Sequence, residues 1–309
     1  MTMKKTMMIL ALLMMAVTLS AQTGVKISAK YKKGDNMLYR QTSTINAGGK
    51  VMNVKSDLRY VVTDASPKGY TIDLTVENGV SDIDSNDIMG RMMNITMEIM
   101  KDTKCTYVTD ADGKIIDIKN YDEILKKSEN FIDKLVKNLF AELPAEASQI
   151  LTEDMLKSTA MEKMTKEYLI KAANLEPTPF TLNGKTISTG AMEKVTSVND
   201  LKMKNMYFLT TPDAKKVKVT STLDMTKDEM KTMIIDQVKK IMPSQAEMIE
   251  QNIDMVMSSG TIKFESEQTT DYEYGSNGWV KTITNTNKSN TIGTVSESTS
   301  KIELIESNR

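Results

Sequence analysis

The stretch LRYVVTDASPKGYTIDLTV, from Leu58 to Val76, decides the architecture. Tyr70, Ile72, Leu74 and Val76 alternate with Thr71, Asp73 and Thr75, and Leu58, Tyr60 and Val62 form a second stripe before the break. A repeat of two places alternate side chains on one face of a sheet, so each stripe reads as a half-buried strand. Between them Ser66-Pro67-Lys68-Gly69 supplies a reversal, because proline presets φ and glycine accepts positive φ. Strands joined by so short a loop pair antiparallel. The same pattern runs outward from Val25 to Ile118, with Ala47-Gly48-Gly49-Lys50 and Asp112-Gly113 as further turns, and predicts a meander.

At Asn120 the period changes. Asn120 is placed to cap a helix with Glu123 three residues on, and Ile124, Leu125, Phe131, Ile132, Leu135, Val136, Leu139 and Phe140 follow at helical spacing. Pro144 ends this helix or opens the next segment, and Thr152 starts a second one carrying Met155, Leu156, Met164 and Leu169. Glu176-Pro177-Thr178-Pro179 stops helix formation, since each proline biases its predecessor away from the α region. Strands are then expected at Phe180 to Ile187, Met206 to Thr211 and Val217 to Leu223. Thr226-Lys227-Asp228-Glu229 is a capping box for a third helical region, with Met230, Met233, Ile234, Val238 and Ile241 on one side. Pro243 should break it, and Ser244 to Glu247 restarts it through Met248, Ile249, Ile253 and Val256 as far as Gly260. From Thr261 to Ile305 the chain is rich in Thr and Ser, with Ile262 and Phe264 alternating, a turn at Gly275-Ser276-Asn277-Gly278 and a long polar hairpin.

Segregated helices and antiparallel strands give the α+β class. The expected form is a curved, mainly antiparallel, half-barrel-like sheet with amphipathic helices packed on one face. Residues 22–309 are expected to form one such domain. Two lobes divided near 177–179 are the alternative, and no residue-level repeat supports a duplication.

The N-terminus reads as a secretory leader. Lys4 and Lys5 precede an apolar run from Met7 to Val17, and small residues follow at Ser20 and Ala21. Residues 1–21 are therefore expected to be a signal peptide, leaving Gln22 first, with no cysteine after the cut to carry a lipid. No later stretch of about 20 apolar residues offers a membrane-spanning anchor. Lys and Arg number 40 against 41 Asp and Glu, and losing Lys4 and Lys5 tips this only slightly further to acid. So near-neutral a chain has no electrostatic footprint for nucleic acid or an anionic membrane. The single Cys105 excludes an intramolecular disulfide, so the core alone must hold the exported protein together.

The 309-residue chain contains no histidine, which removes Ser-His-Asp and Cys-His catalysis and histidine-ligated zinc or haem. Cys105 lies in an expected strand without a partner base and reads as a small buried hydrophobe. No phosphate loop or dinucleotide fingerprint occurs. Thr109-Asp110-Ala111-Asp112-Gly113 has half the spacing of a calcium loop but lacks the third ligand and the distal Glu, so it reads as a hairpin turn, and Asp82, Asp84 and Asp87 read as a solvated loop. Carboxylate chemistry needs two converging acids and usually aromatic platforms, whereas aromatics are 5% of the chain and Trp279 is its sole tryptophan. Trp279, beside a tight turn, is expected to fold over the core rim. The 26 methionines read as ordinary packing more readily than as the lining of a promiscuous pocket. No catalytic or metal residue and no cofactor is assigned, and ligand-binding residues stay open.

Tyr31-Lys32-Lys33-Gly34-Asp35, the passage from Asp112-Gly113-Lys114-Ile115 to Tyr121, and Asn277-Gly278-Trp279 together resemble an uncharacterised family of exported proteins from Gram-negative bacteria. The resemblance implies a periplasmic or extracellular protein and carries no site residues. In architecture alone the chain resembles periplasmic lipoprotein carriers, whose curved sheets hold acyl chains. The resulting expectation is a non-catalytic envelope protein binding an apolar or lipid-like ligand between sheet and helices. A structural or interaction module of the cell envelope is the alternative, with its Thr/Ser-rich final strands pairing to another protein, and a carboxylate-based hydrolase is third.

Overall fold

The computed structural model describes residues 24–47, 49–82, 101, 103–141, 152–211, 215–241, 246–258, 264–291 and 294–308. The leader over 1–21, Gly48, Asp84, Asp87, Pro144, Pro243 with Ser244, Gly260 and Ile262 lie outside these residues.

A short β1 (Val25–Lys26) precedes the predicted meander of β2 (Asn36–Ala47), β3 (Lys50–Ser66), β4 (Gly69–Ser81), β5 (Cys105–Thr109) and β6 (Ile115–Ile118). Three helices follow: α1 (Tyr121–Ala141), α2 (Glu153–Glu162) and α3 (Lys166–Leu175). Strands β7 (Thr186–Ile187), β8 (Met192–Thr196), β9 (Lys202–Leu209) and β10 (Lys216–Leu223) lead to α4 (Lys227–Ile241) and α5 (Ala246–Ser258). The chain ends in β11 (Phe264–Tyr274), β12 (Val280–Thr291) and β13 (Thr294–Ser307).

Eleven strands form one antiparallel sheet in the order β6-β5-β4-β3-β2-β13-β12-β11-β10-β9-β8, while β1 pairs with β7 separately. The sheet is curved and unclosed, an α+β half-barrel. Two meanders are thus joined by one non-local pair, β2 with β13, in which Gln41 faces Ile302 and Tyr39 faces Leu304. Every other neighbour is also a neighbour in sequence.

The pairing register sorts the side chains. Tyr39, Leu58 and Val76 lie opposite one another on the inner face, as do Met37, Tyr60 and Leu74. Gln41, Ile302, Ile283, Tyr272, Val217 and Leu209 continue that face across the other half. The outer face carries cross-strand ion pairs such as Lys288 with Glu297 at 2.9 Å and Lys216 with Glu273 at 3.4 Å. Exposed pairs of this kind contribute little to stability. The apolar inner rows supply the driving force.

Several local expectations change. Asn120 does not cap α1: its Oδ1 accepts the Thr106 N–H at 2.9 Å and its Nδ2 donates to the Lys104 carbonyl at 2.7 Å, so it ties the helix start to β5. Glu123 pairs with Lys127 instead. The second helix is two. Thr152 caps α2, accepting from the Met155 N–H at 3.2 Å, and Thr165 caps α3, accepting from the Tyr168 N–H at 3.3 Å, because a hydroxyl that captures a backbone N–H starts a new helix. The strand expected from Phe180 shrinks to Thr186–Ile187. Thr178 and Thr181 hydroxyls bond the backbone around them, and such local bonds compete with a sheet ladder. The Thr226–Glu229 capping box forms as predicted, with reciprocal bonds of 2.8 and 3.2 Å.

Helices α1 and α3 cover the inner face of the first meander, with Ile124, Ile132 and Val136 of α1 buried. Asn174 of α3 finishes the edge strand β6: its amide accepts the Ile115 N–H at 3.1 Å and donates to the Ile115 carbonyl at 2.8 Å, as a neighbouring strand would.

Two chambers on the concave face

One end of the half-barrel is filled. Trp279 is fully buried, stacks on Tyr31 at 4.1 Å between centroids, and donates Nε1–H to Asp35 at 3.0 Å. Asp35 also accepts the Lys32 N–H. Gly278, at φ 82°, lies so close to Lys30 that a Cβ would meet its backbone nitrogen at 2.9 Å. Gly113, at φ 89°, lies against Ala29 and Asn183, where a Cβ would meet the Ala29 Cβ at 2.4 Å. Asn183 then donates to both the Gly113 carbonyl and the Tyr31 hydroxyl at 3.0 Å. The three sequence motifs therefore meet at one spot, and that spot is a packed closure. Trp279 sits at its centre, deeper than the rim position expected of it. Burial pushes the Tyr31 hydroxyl well above its ordinary pKa, so it stays neutral here.

Away from this closure the concave face is hollow. The first chamber, about 410 Å³, lies between β2–β5 and helices α1 and α3. Leu58, Tyr60, Leu74 and Val76 form its floor, and Ile124, Met164, Leu169 and Ala173 its roof. Phe180 closes its inner end, with Tyr60 at 5.4 Å and Tyr107 at 6.1 Å in edge-on contact. Cys105 is in the wall. Burial pushes its thiol up to about 11, so it is a protonated, apolar wall group rather than a nucleophile.

The second chamber, about 360 Å³, lies against the second meander. Here the inner rows turn polar. Asn205, Ser221, Gln268 and Asn287 are cross-strand neighbours in one row, and Tyr207, Val219, Thr270 and Asn285 form the row beside it. Gln268 Nε2 and Thr270 Oγ1 both donate to Asn285 Oδ1, at 2.8 and 2.9 Å. The Oδ1 atoms of Asn205 and Asn287 are buried without a hydrogen-bond partner. At its mouth Lys185 pairs with Glu193 at 2.7 Å and with the Tyr207 hydroxyl at 3.3 Å, and Tyr207 also bonds Glu193. Desolvation pulls the Lys185 pKa down, but Glu193 and Tyr207 together outweigh it and hold it up.

The segment from Glu176 to Leu182 divides the chambers. Thr178 and Phe180 face the first, Pro177, Thr181 and Leu182 the second, and Glu176 lines both. Although its surface is exposed, desolvation by its crowded surroundings raises the Glu176 pKa. It is the one carboxylate lining either chamber among the described residues.

The acidic clusters of the sequence play other parts. Asp110 Oδ1 accepts the Asp112 and Lys114 N–H groups, closing the β5–β6 turn, and Asp112 pairs with Lys26 at 2.7 Å. Asp82 accepts from Asn53 backbone and side chain at 2.6 Å. Among the described residues no helix is long and apolar enough to cross a membrane.

No family model and no curated protein matches the chain. Among solved structures it is similar to lipovitellin, in a structure titled for its lipid–protein interactions, at 10% identity and a TM-score of 0.45 over 90% of this chain. The chain spans 26% of that lipovitellin chain. It is also similar to an S-type phycobiliprotein lyase from Guillardia theta, at 8% identity and a TM-score of 0.20 over 87% of this chain and 88% of that one. A porin-like protein from Bacteroides uniformis matches at 8% identity and a TM-score of 0.19, over 89% and 98% of the two chains. Likeness at this level carries no functional argument.

Proposed function

We propose that the chain is an exported, non-catalytic carrier that holds an apolar, lipid-like ligand between its sheet and helices α1 and α3. One observation carries the reading: an apolar chamber of about 410 Å³ stands open on the same inner face whose other end is packed around Trp279. Pockets of roughly 300–1,000 Å³ lined mainly by apolar side chains are the usual form of a small-molecule site. A chain able to fill one end of its core so closely would gain stability by filling the other, so the hollow is retained for an occupant. The leader-like order of Lys4, Lys5, Met7 to Val17 and Ala21 supports export. The chamber's chemistry supports binding over catalysis, with a lone carboxyl and a protonated thiol in its wall.

The interaction-module reading loses the surface expected for it, the final strands. The Thr/Ser-rich strands β11–β13 have both neighbours occupied within the sheet, which leaves no free ladder there for another protein.

Thermal unfolding of delipidated protein, with and without envelope lipid extract, tests the carrier. The midpoint should rise with extract. No shift with any lipid fraction would reject the reading.

A further inference from the structure

The second chamber indicates what kind of ligand the first one holds, and the inference rests on the carrier reading above. The two chambers share Glu176 and are separated only by the Glu176–Leu182 segment. Their walls differ sharply. The first is mostly apolar, whereas the floor of the second sets amide and hydroxyl side chains around Val219, on strands whose outer face is charged. That floor is not internally satisfied, because Asn205 Oδ1 and Asn287 Oδ1 are buried without partners. Both orphans are acceptors, and a buried acceptor left unpaired is costly. Both oxygens lie beneath the chamber's surface, and what the floor presents to an occupant is its remaining amide and hydroxyl groups, which pair with hydroxyls.

Asn205 and Asn287 stand at the two ends of the row Asn205, Ser221, Gln268, Asn287, which crosses four strands. At about 4.8 Å per strand the row spans roughly 14 Å. A single ammonium or carboxyl cannot reach both ends, while a head bearing several hydroxyls can. Charge selects in the same direction. Lys185 is already neutralised by Glu193, so Glu176, the one residue that lines both chambers, is the unopposed charge there, and it repels an anionic head.

We infer that the ligand is an amphiphile with one apolar chain and an uncharged, polyhydroxylated, sugar-like head: the chain fills the chamber under α1 and α3, and the head lies on the Asn205–Asn287 row with Glu176 at the crossing.

The test uses the full mature chain and the neutral apolar fluorophore N-phenyl-1-naphthylamine as reporter of the first chamber. Decyl maltoside, decyl sulfate and decanol compete for it below their micelle concentrations. Decyl maltoside should displace the reporter at a concentration at least fivefold lower than either competitor. Asn205→Leu with Asn287→Leu should erase that advantage while reporter binding is kept, which also shows that the variant is folded. Glu176→Gln should bring decyl sulfate closer to decanol. If the reporter does not bind wild-type protein, the carrier reading falls and this inference with it. If it binds but decyl maltoside is no better than decanol, or its advantage survives the double substitution, the head assignment is overturned and the carrier stands.

Discussion

Phe180→Ala probes the partition between the chambers. Phe180 is 2% exposed, and its ring meets Tyr60 at 5.4 Å, Tyr107 at 6.1 Å, and Tyr31 and Trp279 at 6.4 Å. Truncating a buried Phe to Ala costs about 3–5 kcal/mol, from lost transfer energy plus the void left behind. The four edge-on ring contacts add about 0.5–1.5 kcal/mol each in isolation, but they share one ring and are not additive. One side of Phe180 already borders the apolar chamber, so the new space joins an existing opening and need not stay empty. The low end, about 3 kcal/mol, is therefore expected. At about 2.1 cal/mol/K of unfolding entropy per residue, a chain of about 290 residues shifts by about 1.6 °C per kcal/mol, so calorimetry should show a fall of about 5 °C. The same variant should bind the naphthylamine reporter at least as tightly as wild type, because the chamber grows. Saturating reporter at ~100 times its Kd should restore about 2.7 kcal/mol. A loss below about 1 kcal/mol would show that Phe180 does not wedge the aromatic cluster. A full loss of stability with no reporter-dependent recovery would refute the link between Phe180 and the chamber.

Tyr39→Phe removes the buried 2.6 Å bond from the Tyr39 hydroxyl to the Val280 carbonyl, and should cost about 1–2 kcal/mol in urea unfolding with an unchanged m-value. Glu176 has a raised pKa in the folded state, so folding favours its protonated form and stability falls as pH climbs above the ordinary carboxylate range; Glu176→Gln should raise the midpoint at pH 7 and change nothing at pH 3. Glu229 is the opposite case: its bond to Lys202, reinforced by the Thr226 cap, lowers it to about 2, so its contribution is complete above about 4.5 and is lost as pH falls from there to about 2. Wild type should therefore lose more stability than Glu229→Gln between pH 5 and 2 in acid titrations followed by circular dichroism. Cys105 should alkylate slowly with iodoacetamide at pH 7, and more slowly still when an apolar ligand fills the chamber, as read by intact mass.

The first meander was legible because Leu58 to Val76 carries two of its strands and their turn in one local pattern. The β2–β13 pairing was not, since nothing in Gln41 or Ile302 marks a partner so distant in the chain. Asn120 was misread because one amide suits a helix cap and a strand-end tie equally well, and only the neighbouring Thr106 N–H decides between them. Strand β8 carries mostly exposed side chains, so it shows no alternating stripe. The apolar chamber was anticipated in kind from the amphipathic helices and the sheet they must cover. Its neighbour was not, because Asn205, Ser221, Gln268 and Asn287 are scattered along the sequence and become a surface only through strand register. The polar sequence of β11–β13 was in view, but it read as hairpin and edge chemistry rather than as the floor of a chamber.

The carrier account is tested most directly by native mass spectrometry of the protein purified from its own cells without detergent. The account predicts a population heavier than the polypeptide by the mass of one amphiphile, lost on organic extraction and regained on adding back the extract. A bare polypeptide mass under the gentlest conditions, unchanged by the extract, would contradict it.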